Sequence, residues 1–209
     1  MKLFTKKDKK LWLAFAIMLI ILLTGRTLIK ENSYIDIVNT TIALFTVFLL
    51  IIELSRDKDI SEAQLIIEIN NQFIDSSSLA RVERKLEEYV YFYNEYGQIK
   101  NDYWEEWEKS LTIGSEARQE LVNYLVHLEG VAALVNNNVL TLPVITDLVA
   151  YRYFIAVNNP IVQKLELIPY KDYYRGCFKI YTKWEETMIE QKITIPLVDF
   201  SLKNTFEEE

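Results

Sequence analysis

Two charged residues, Glu129 and Arg152, fall on the apolar stripes of predicted helices, where an ion pair or a binding site could lie. Glu129 follows Leu125 by four residues, and Arg152 follows Leu148 by four residues. An isolated charge is costly to bury, so the spacing predicts that the two residues pair with each other and fix the register of two antiparallel helices. The alternative is that Arg152 binds a ligand in a pocket.

A second candidate site, for a ligand or a protein partner, is a run of tyrosines with two cations: Tyr170, Tyr173, Tyr174, Arg175 and Lys179. Aromatic rings next to basic groups can stack on a nucleotide or contact a partner protein. The alternative is that helical spacing places most of these rings in the core.

The chain has a single histidine, His127, and a single cysteine, Cys177. These counts exclude an internal disulfide and a multi-cysteine zinc site, and they leave little room for a catalytic triad. We interpret His127 as a boundary residue with a hydrogen-bond partner, with a pH or metal role as the alternative, and Cys177 as a small core residue. We therefore predict a non-enzymatic protein with no catalytic residue, metal site or cofactor.

Two uncharged apolar runs near the N-terminus, residues 11–25 and 37–52, follow five lysines within residues 2–10. As helices they would reach about 22–24 Å, against about 30 Å of bilayer hydrocarbon, and flanking Lys and Arg side chains can extend that reach. The pattern predicts a transmembrane hairpin over residues 11–54, with helices at about 11–25 and 35–54. Buried helices of a soluble protein and a cleaved signal peptide are the alternatives.

The excess of lysine before the first run predicts that residues 1–10 form a basic arm in the cytoplasm. Two crossings would then return the C-terminal domain to the same side. The lipid bilayer is therefore the first partner that the sequence predicts.

Small and polar residues recur at helical spacing in and after the second run: Asn39, Ala43, Thr46 and Glu53. In lipid, such residues mark a face that contacts another helix. The simpler interpretation is packing against the first helix of the same chain. The alternative is a membrane association face that serves self-association or a pore.

The charges are unevenly distributed, because residues 1–59 carry nine Lys and Arg against six Asp and Glu, whereas the rest carry 14 against 24. An acidic domain does not suit phosphate contacts, so no duplex nucleic acid is expected as a partner. We predict an all-α cytoplasmic domain over residues 60–200, which follows a short joint at residues 55–59, and an acidic tail over residues 201–209. Stripes and cap signals predict its helices at about 60–74, 78–96, 102–111, 115–136, 142–156 and 169–191.

Residues 118–164, about a quarter of the chain, resemble the DUF4760-type helical proteins of bacteria. The likeness rests on residues 123–136, with Glu129 inward, and on residues 144–154, which carry aromatic side chains and Arg152. The resemblance implies an all-helical fold and a bacterial origin, and with it the bacterial inner membrane as the location. Abortive-infection membrane proteins have a similar layout, which implies antiviral defence against phage as the process but no catalytic role.

These observations lead to three hypotheses of different classes. The first is a membrane-anchored, non-enzymatic protein whose cytoplasmic domain binds a protein partner or a signal. The second is an oligomeric effector that senses a small nucleotide and perturbs the membrane through the face that contains Asn39 and Thr46. An enzyme that acts on a lipid or a nucleotide ranks third, because no acid/base or metal set can be assembled from the sequence.

Overall fold

The computed structural model describes residues 31–96 and 102–205. Every regular element within these ranges is helical, which confirms the predicted all-α class. The chain divides into two compact units, Met1–Ser61 and Glu62–Glu209. The predicted basic arm, the first apolar run and the last four residues of the predicted tail lie outside the described residues.

The first described helix, α1, spans Glu31–Asp75 and contributes residues to both units. Its sequence contains neither glycine nor proline, so no residue breaks the helix at residues 55–59. The predicted joint there, and the predicted helix start near residue 60, are therefore wrong. In the described ranges, no helix combines the length and the apolar character needed to cross a bilayer.

The part of α1 that belongs to the first unit exposes many large apolar side chains. Polar interruptions are few, because residues 42–52 contain only apolar residues and Thr46. The exposed members are Ile42, Leu44, Val47, Leu49, Leu50, Ile51 and Leu54. A surface of this kind normally marks contact with a partner or with lipid.

The second unit begins with the last turns of α1 and continues through three helices that the apolar repeat predicts well. These are α2 at Ser77–Tyr96, α3 at Asp102–Ser110 and α4 at Glu116–Asn136. Ser115 caps α4, since its hydroxyl oxygen accepts a hydrogen bond from the backbone N–H of Arg118.

Two π-helical turns interrupt the next stretch of helix. Helix α5 at Leu142–Ile145 runs through a π turn at Thr146–Ala150 into α6 at Tyr151–Val157. Helix α7 at Pro160–Val162 leads into a second π turn at Gln163–Leu167. Asn159 separates α6 from α7, and its side chain caps α7 by accepting from two backbone amides.

The last long helix, α8, spans Arg175–Glu190 and starts six residues later than predicted. A 3₁₀ turn at Lys171–Tyr174 precedes it. Tyr170 and Tyr173 therefore do not continue the buried stripe of α8, and both side chains are exposed.

The core of the second unit lies mainly between α4 and α8 and is rich in aromatic rings. Tyr153 of α6 stacks on Trp184 of α8 with centroids 4.7 Å apart, and both side chains are fully buried. Two short 3₁₀ turns, Val198–Phe200 and Leu202–Thr205, follow α8 and close the described chain.

A buried hydrogen-bond network fastens this C-terminal segment to the core. Asn158 donates from Nδ2 to the carbonyl of Pro196 at 2.9 Å. Its Oδ1 accepts from the hydroxyl of Tyr181 at 2.9 Å and from the amide of Leu202 at 3.4 Å. Asn158 is fully buried, so its polar groups depend on these partners.

Candidate functional site

Glu129 of α4 binds the N-terminus of α8. Its Oε1 accepts from the backbone N–H of Gly176 at 2.6 Å, and its Oε2 accepts from that of Cys177 at 2.8 Å. A carboxylate at this end of a helix satisfies amides that have no partner within the helix and meets the positive end of the helix dipole.

Arg152 of α6 lies against α1 and α2. It donates from Nε to Oε1 of Glu83 at 2.8 Å and from Nη1 to Oδ1 of Asn70 at 2.9 Å. Its guanidinium carbon lies 5.1 Å from the centroid of the Phe73 ring, close enough for a cation–π contact. Burial raises the pKa of Glu83, and Arg152 acts in the opposite direction.

The predicted ion pair between Glu129 and Arg152 is therefore wrong. Helix α4 packs most extensively on α8 and presents Glu129 to it, whereas α6 presents Arg152 to α1 and α2. The stripes correctly identified two partnered charges, but they do not say which neighbouring helix each face meets.

An open groove of about 580 Å³, here called the tyrosine groove, runs along the N-terminal half of α4. One side is the exposed face of α4, and the other is the segment between the second π turn and α8. It is lined by Ile113, Gly114, Ser115, Arg118, Gln119, Val122, Val126, Glu166, Tyr170, Tyr173 and Tyr174. The groove is largely apolar at its rim, where Ile113 is 83% and Tyr173 is 77% exposed.

A closed ion pair lies in the lining of the tyrosine groove. Arg118 donates from Nε to Oε1 of Glu166 at 2.6 Å, and its two Nη atoms donate to the carbonyls of Leu111 and Leu165. Glu166 is only 4% exposed. Burial, followed by the charge of Glu166, raises the pKa of Tyr174 well above its ordinary value. The lining therefore presents paired rather than free charge.

Only part of the predicted cluster of tyrosines and cations lies together in the structure. Tyr170 and Tyr173 are exposed and line the groove, whereas Tyr174 is buried with its hydroxyl directed at Glu166. Arg175 is exposed and paired with the aspartate three residues before it at 2.8 Å, and Lys179 is exposed. Whether this surface binds a ligand or partner stays a prediction.

Sequence patterns did not predict Arg118 and Glu166 as site residues. Arg118 lies one turn before the apolar stripe of α4, and Glu166 stands between Leu165 and Leu167. Its position between two leucines was the available signal for Glu166, whereas Glu129 and Arg152 were marked by helical spacing.

A second groove of about 720 Å³, here called the polar groove, follows one face of α1 and reaches α4. It is lined by Gln64, Ile67, Glu68, Asn71, Gln72, Asp75, Ser76, Leu79 and His127. Amide and carboxylate side chains dominate this lining, in contrast to the tyrosine groove.

The single cysteine and the single histidine differ in their environments. Cys177 is fully buried, which confirms its interpretation as a core residue, and burial raises the pKa of its thiol well above the ordinary value. His127 lies at the boundary of the core, and its ring packs on Phe73 with centroids 4.6 Å apart.

The four residues of the predicted membrane association face, Asn39, Ala43, Thr46 and Glu53, are all exposed on α1. The Thr46 hydroxyl donates to the carbonyl of Ile42 at 2.9 Å, within its own helix. Association through this face stays a prediction.

No family model, curated protein or solved structure matches the chain. The resemblance of residues 118–164 to DUF4760-type proteins therefore stays a prediction. Within residues 31–96 and 102–205, no group of three His, Cys, Asp or Glu side chains is arranged to hold a metal ion.

Proposed function

We propose that this chain is a membrane-attached binding protein that holds an apolar segment of a protein partner in the tyrosine groove. The observation that carries the proposal is the exposure of Tyr173 and Ile113 at the rim of a largely apolar groove. Exposed aromatic and aliphatic side chains around one concavity are typical of binding surfaces.

The chemistry of the lining favours a protein segment over a nucleotide. A nucleotide needs free cationic donors for its phosphates, but Arg118 already donates to Glu166 and to two backbone carbonyls. Tyrosine offers an apolar ring and a hydroxyl at low entropic cost, and it is enriched where proteins meet. The preferred occupant is therefore an uncharged segment with aromatic or aliphatic side chains.

Membrane attachment is the second part of the proposal, with the groove on the cytoplasmic side of a bacterial inner membrane. Its support is the pair of apolar runs after five lysines, and the exposed apolar side chains of α1 from Ile42 to Leu54. Removing apolar surface from water stabilises by about 25 cal/mol per Å². Lipid contact along this part of α1 would supply that stabilisation.

Peptide display on the full chain in lipid nanodiscs tests the groove. Peptides selected against the native chain should lose binding to the double variant Tyr170→Ala, Tyr173→Ala. They should retain it with Tyr91→Ala, which removes an exposed tyrosine (63%) of α2 that lies outside the groove lining. Enriched peptides that bind all three proteins alike, or a failure to enrich any sequence, would refute the proposed groove function.

Thiol labelling in bacterial cells tests the membrane part independently. Cys177 is buried and should stay unlabelled, so new cysteines report alone. With a membrane-impermeant maleimide, Ser33→Cys should react in intact spheroplasts, and Tyr173→Cys should react only after lysis. Labelling of Tyr173→Cys without lysis, or recovery of the chain in the soluble fraction, would exclude this topology.

Self-association through α1 is a second candidate function. The observation that favours it is the shared exposure of Asn39, Ala43, Thr46 and Glu53. Cross-linking in detergent should capture oligomers of the native chain that disappear with Asn39→Leu and Thr46→Leu but persist with the control Ile51→Leu. A monomer in the native sample would rule the candidate out.

A further inference from the structure

His127 has an unusual set of contacts between α4 and the last turns of α1. Its ring stands nearly perpendicular to that of Phe73, at an interplanar angle of 82°, and Phe73 is almost fully buried. The backbone of Ile69, on α1, raises the pKa of His127 and so opposes the effect of burial. Among the described groups, its Nε2 is buried and has no hydrogen-bond partner.

We propose that His127 is a pH-sensitive latch between α1 and α4, released when its ring is protonated in mildly acid solution. The neutral ring needs no partner at Nε2 in order to pack on Phe73. A protonated ring places an N–H at that buried position and must find an acceptor for it. Turning toward the polar groove would supply one, at the cost of the contact with Phe73.

The charged groups around the ring make such a turn favourable. From α1, Glu68 and Asp75 line the same groove as His127 and carry carboxylates that can accept a hydrogen bond. The Arg152 guanidinium of α6 also contacts the Phe73 ring, and it pairs with Glu83 of α2. A protonated His127 that stays on the Phe73 ring would be repelled by Arg152. A protonated His127 that turns into the polar groove would instead be attracted by carboxylates.

The direction of the pH effect follows from the environment of the ring. Burial lowers the pKa of His127 from its ordinary 6.5. The native state therefore binds this proton less readily than the unfolded chain does. The stabilisation from the neutral ring is complete above the ordinary pKa and is lost as the pH falls through the lowered one.

The experiment uses the full chain in detergent, purified without a histidine tag. Because the chain has one histidine, its Cε1–H proton gives a single NMR resonance. We expect that resonance to titrate with a midpoint below 6.5. Hydrogen exchange, corrected for its intrinsic pH dependence, should show loss of protection in residues 62–75 between pH 7.5 and 5.5, with α8 unchanged.

The variant His127→Gln removes the titration and keeps a polar side chain of similar size. It should show the same protection of residues 62–75 at both pH values. A native midpoint at or above 6.5, equal protection at both pH values, or unchanged pH dependence in His127→Gln would overturn the proposal. The first two results come from the native chain, so they decide the matter even if the variant does not fold.

Discussion

Gly176 is the residue whose missing side chain makes the Glu129 contact possible. A Cβ at this position would lie 2.6 Å from Oε1 of Glu129. We expect Gly176→Ala to destabilise the protein by about 1–3 kcal/mol, because the carboxylate must move away from the two amides that it satisfies. Chemical unfolding followed by circular dichroism measures this loss.

Gly130 provides the matched control within the same pair of helices. It lies inside α4, and an added Cβ there meets no atom within 4 Å. Gly130→Ala should stabilise the protein by about 0.5–1 kcal/mol through the higher helix propensity of alanine. Equal effects of the two substitutions would contradict the role assigned to Glu129.

Two helices end in the same motif with different residues at the left-handed position. After α4, Asn138 has φ of 57° and the amide of Val139 donates to the carbonyl of Leu134. After α8, Lys192 has φ of 58° and the amide of Ile193 donates to the carbonyl of Met188. Both are Schellman ends, in which glycine or asparagine is preferred.

Lys192→Gly should therefore stabilise the protein by about 0.5–1 kcal/mol. The left-handed conformation costs a residue with a Cβ about 1–2 kcal/mol, but glycine also raises the conformational entropy of the unfolded chain, which offsets part of the gain. Asn138→Gly should change stability less, because asparagine already tolerates this conformation. Thermal unfolding of both variants checks that Lys192→Gly gives the larger gain in stability. A larger gain from Asn138→Gly would show that the lysine is not strained.

The sequence identified special residues better than it identified their partners. Glu129 and Arg152 stand out because a charge on an apolar stripe needs compensation. Their partners, the α8 amides and Glu83, come from other parts of the chain and depend on which helices become neighbours. A repeat within one helix carries no information on that choice.

At the scale of elements, helices with an uninterrupted apolar repeat agree with their predicted bounds. Helices α2 and α4 are examples, since their stripes are regular and the hydroxyls of Ser76 and Ser115 accept from backbone amides at their N-termini. The π turn at Thr146–Ala150 shifts the helical repeat, because it contains one more residue than an α turn. Leu148, predicted inward, is consequently exposed.

The C-terminal segment depends on Asn158, whose side chain joins three groups in the core network. We expect Asn158→Ala to cost about 1–3 kcal/mol, because it leaves buried polar groups without partners. Hydrogen exchange should also increase in residues 196–203. The exposed control Asn123→Ala should stay within about 0.5 kcal/mol of the native chain. A silent Asn158→Ala would show that the segment is held by apolar contacts alone.

For the whole molecule, buried tyrosines set the response to alkali. Burial raises the pKa of Tyr89 to about 12, and it raises the pKa values of Tyr124, Tyr153 and Tyr174 well above the ordinary value. The native state keeps these protons after the unfolded chain has lost them, so stability is full below the ordinary tyrosine pKa and falls as the pH rises through the raised values.

Absorbance at 295 nm and circular dichroism, recorded together during alkaline titration, check this expectation. A group of tyrosines should ionise only as helicity is lost. Ionisation of every tyrosine before any loss of helicity would contradict the burial of these rings.

The all-α class was predictable from the whole sequence, but the tyrosine groove was not. The groove depends on the late start of α8, which turns Tyr170 and Tyr173 outward, and on the pairing of Arg118 with Glu166 across 48 residues. Neither property is visible in a local repeat.

The two π turns also bear on how the chain could vary in length. Each holds one residue more than a regular turn, so deletion of a single residue there converts it to an α turn and leaves the flanking helices intact. Homologues one residue shorter within Thr146–Ala150 or Gln163–Leu167 would therefore keep this architecture. A one-residue gap at either place in an alignment would therefore be compatible with the same fold.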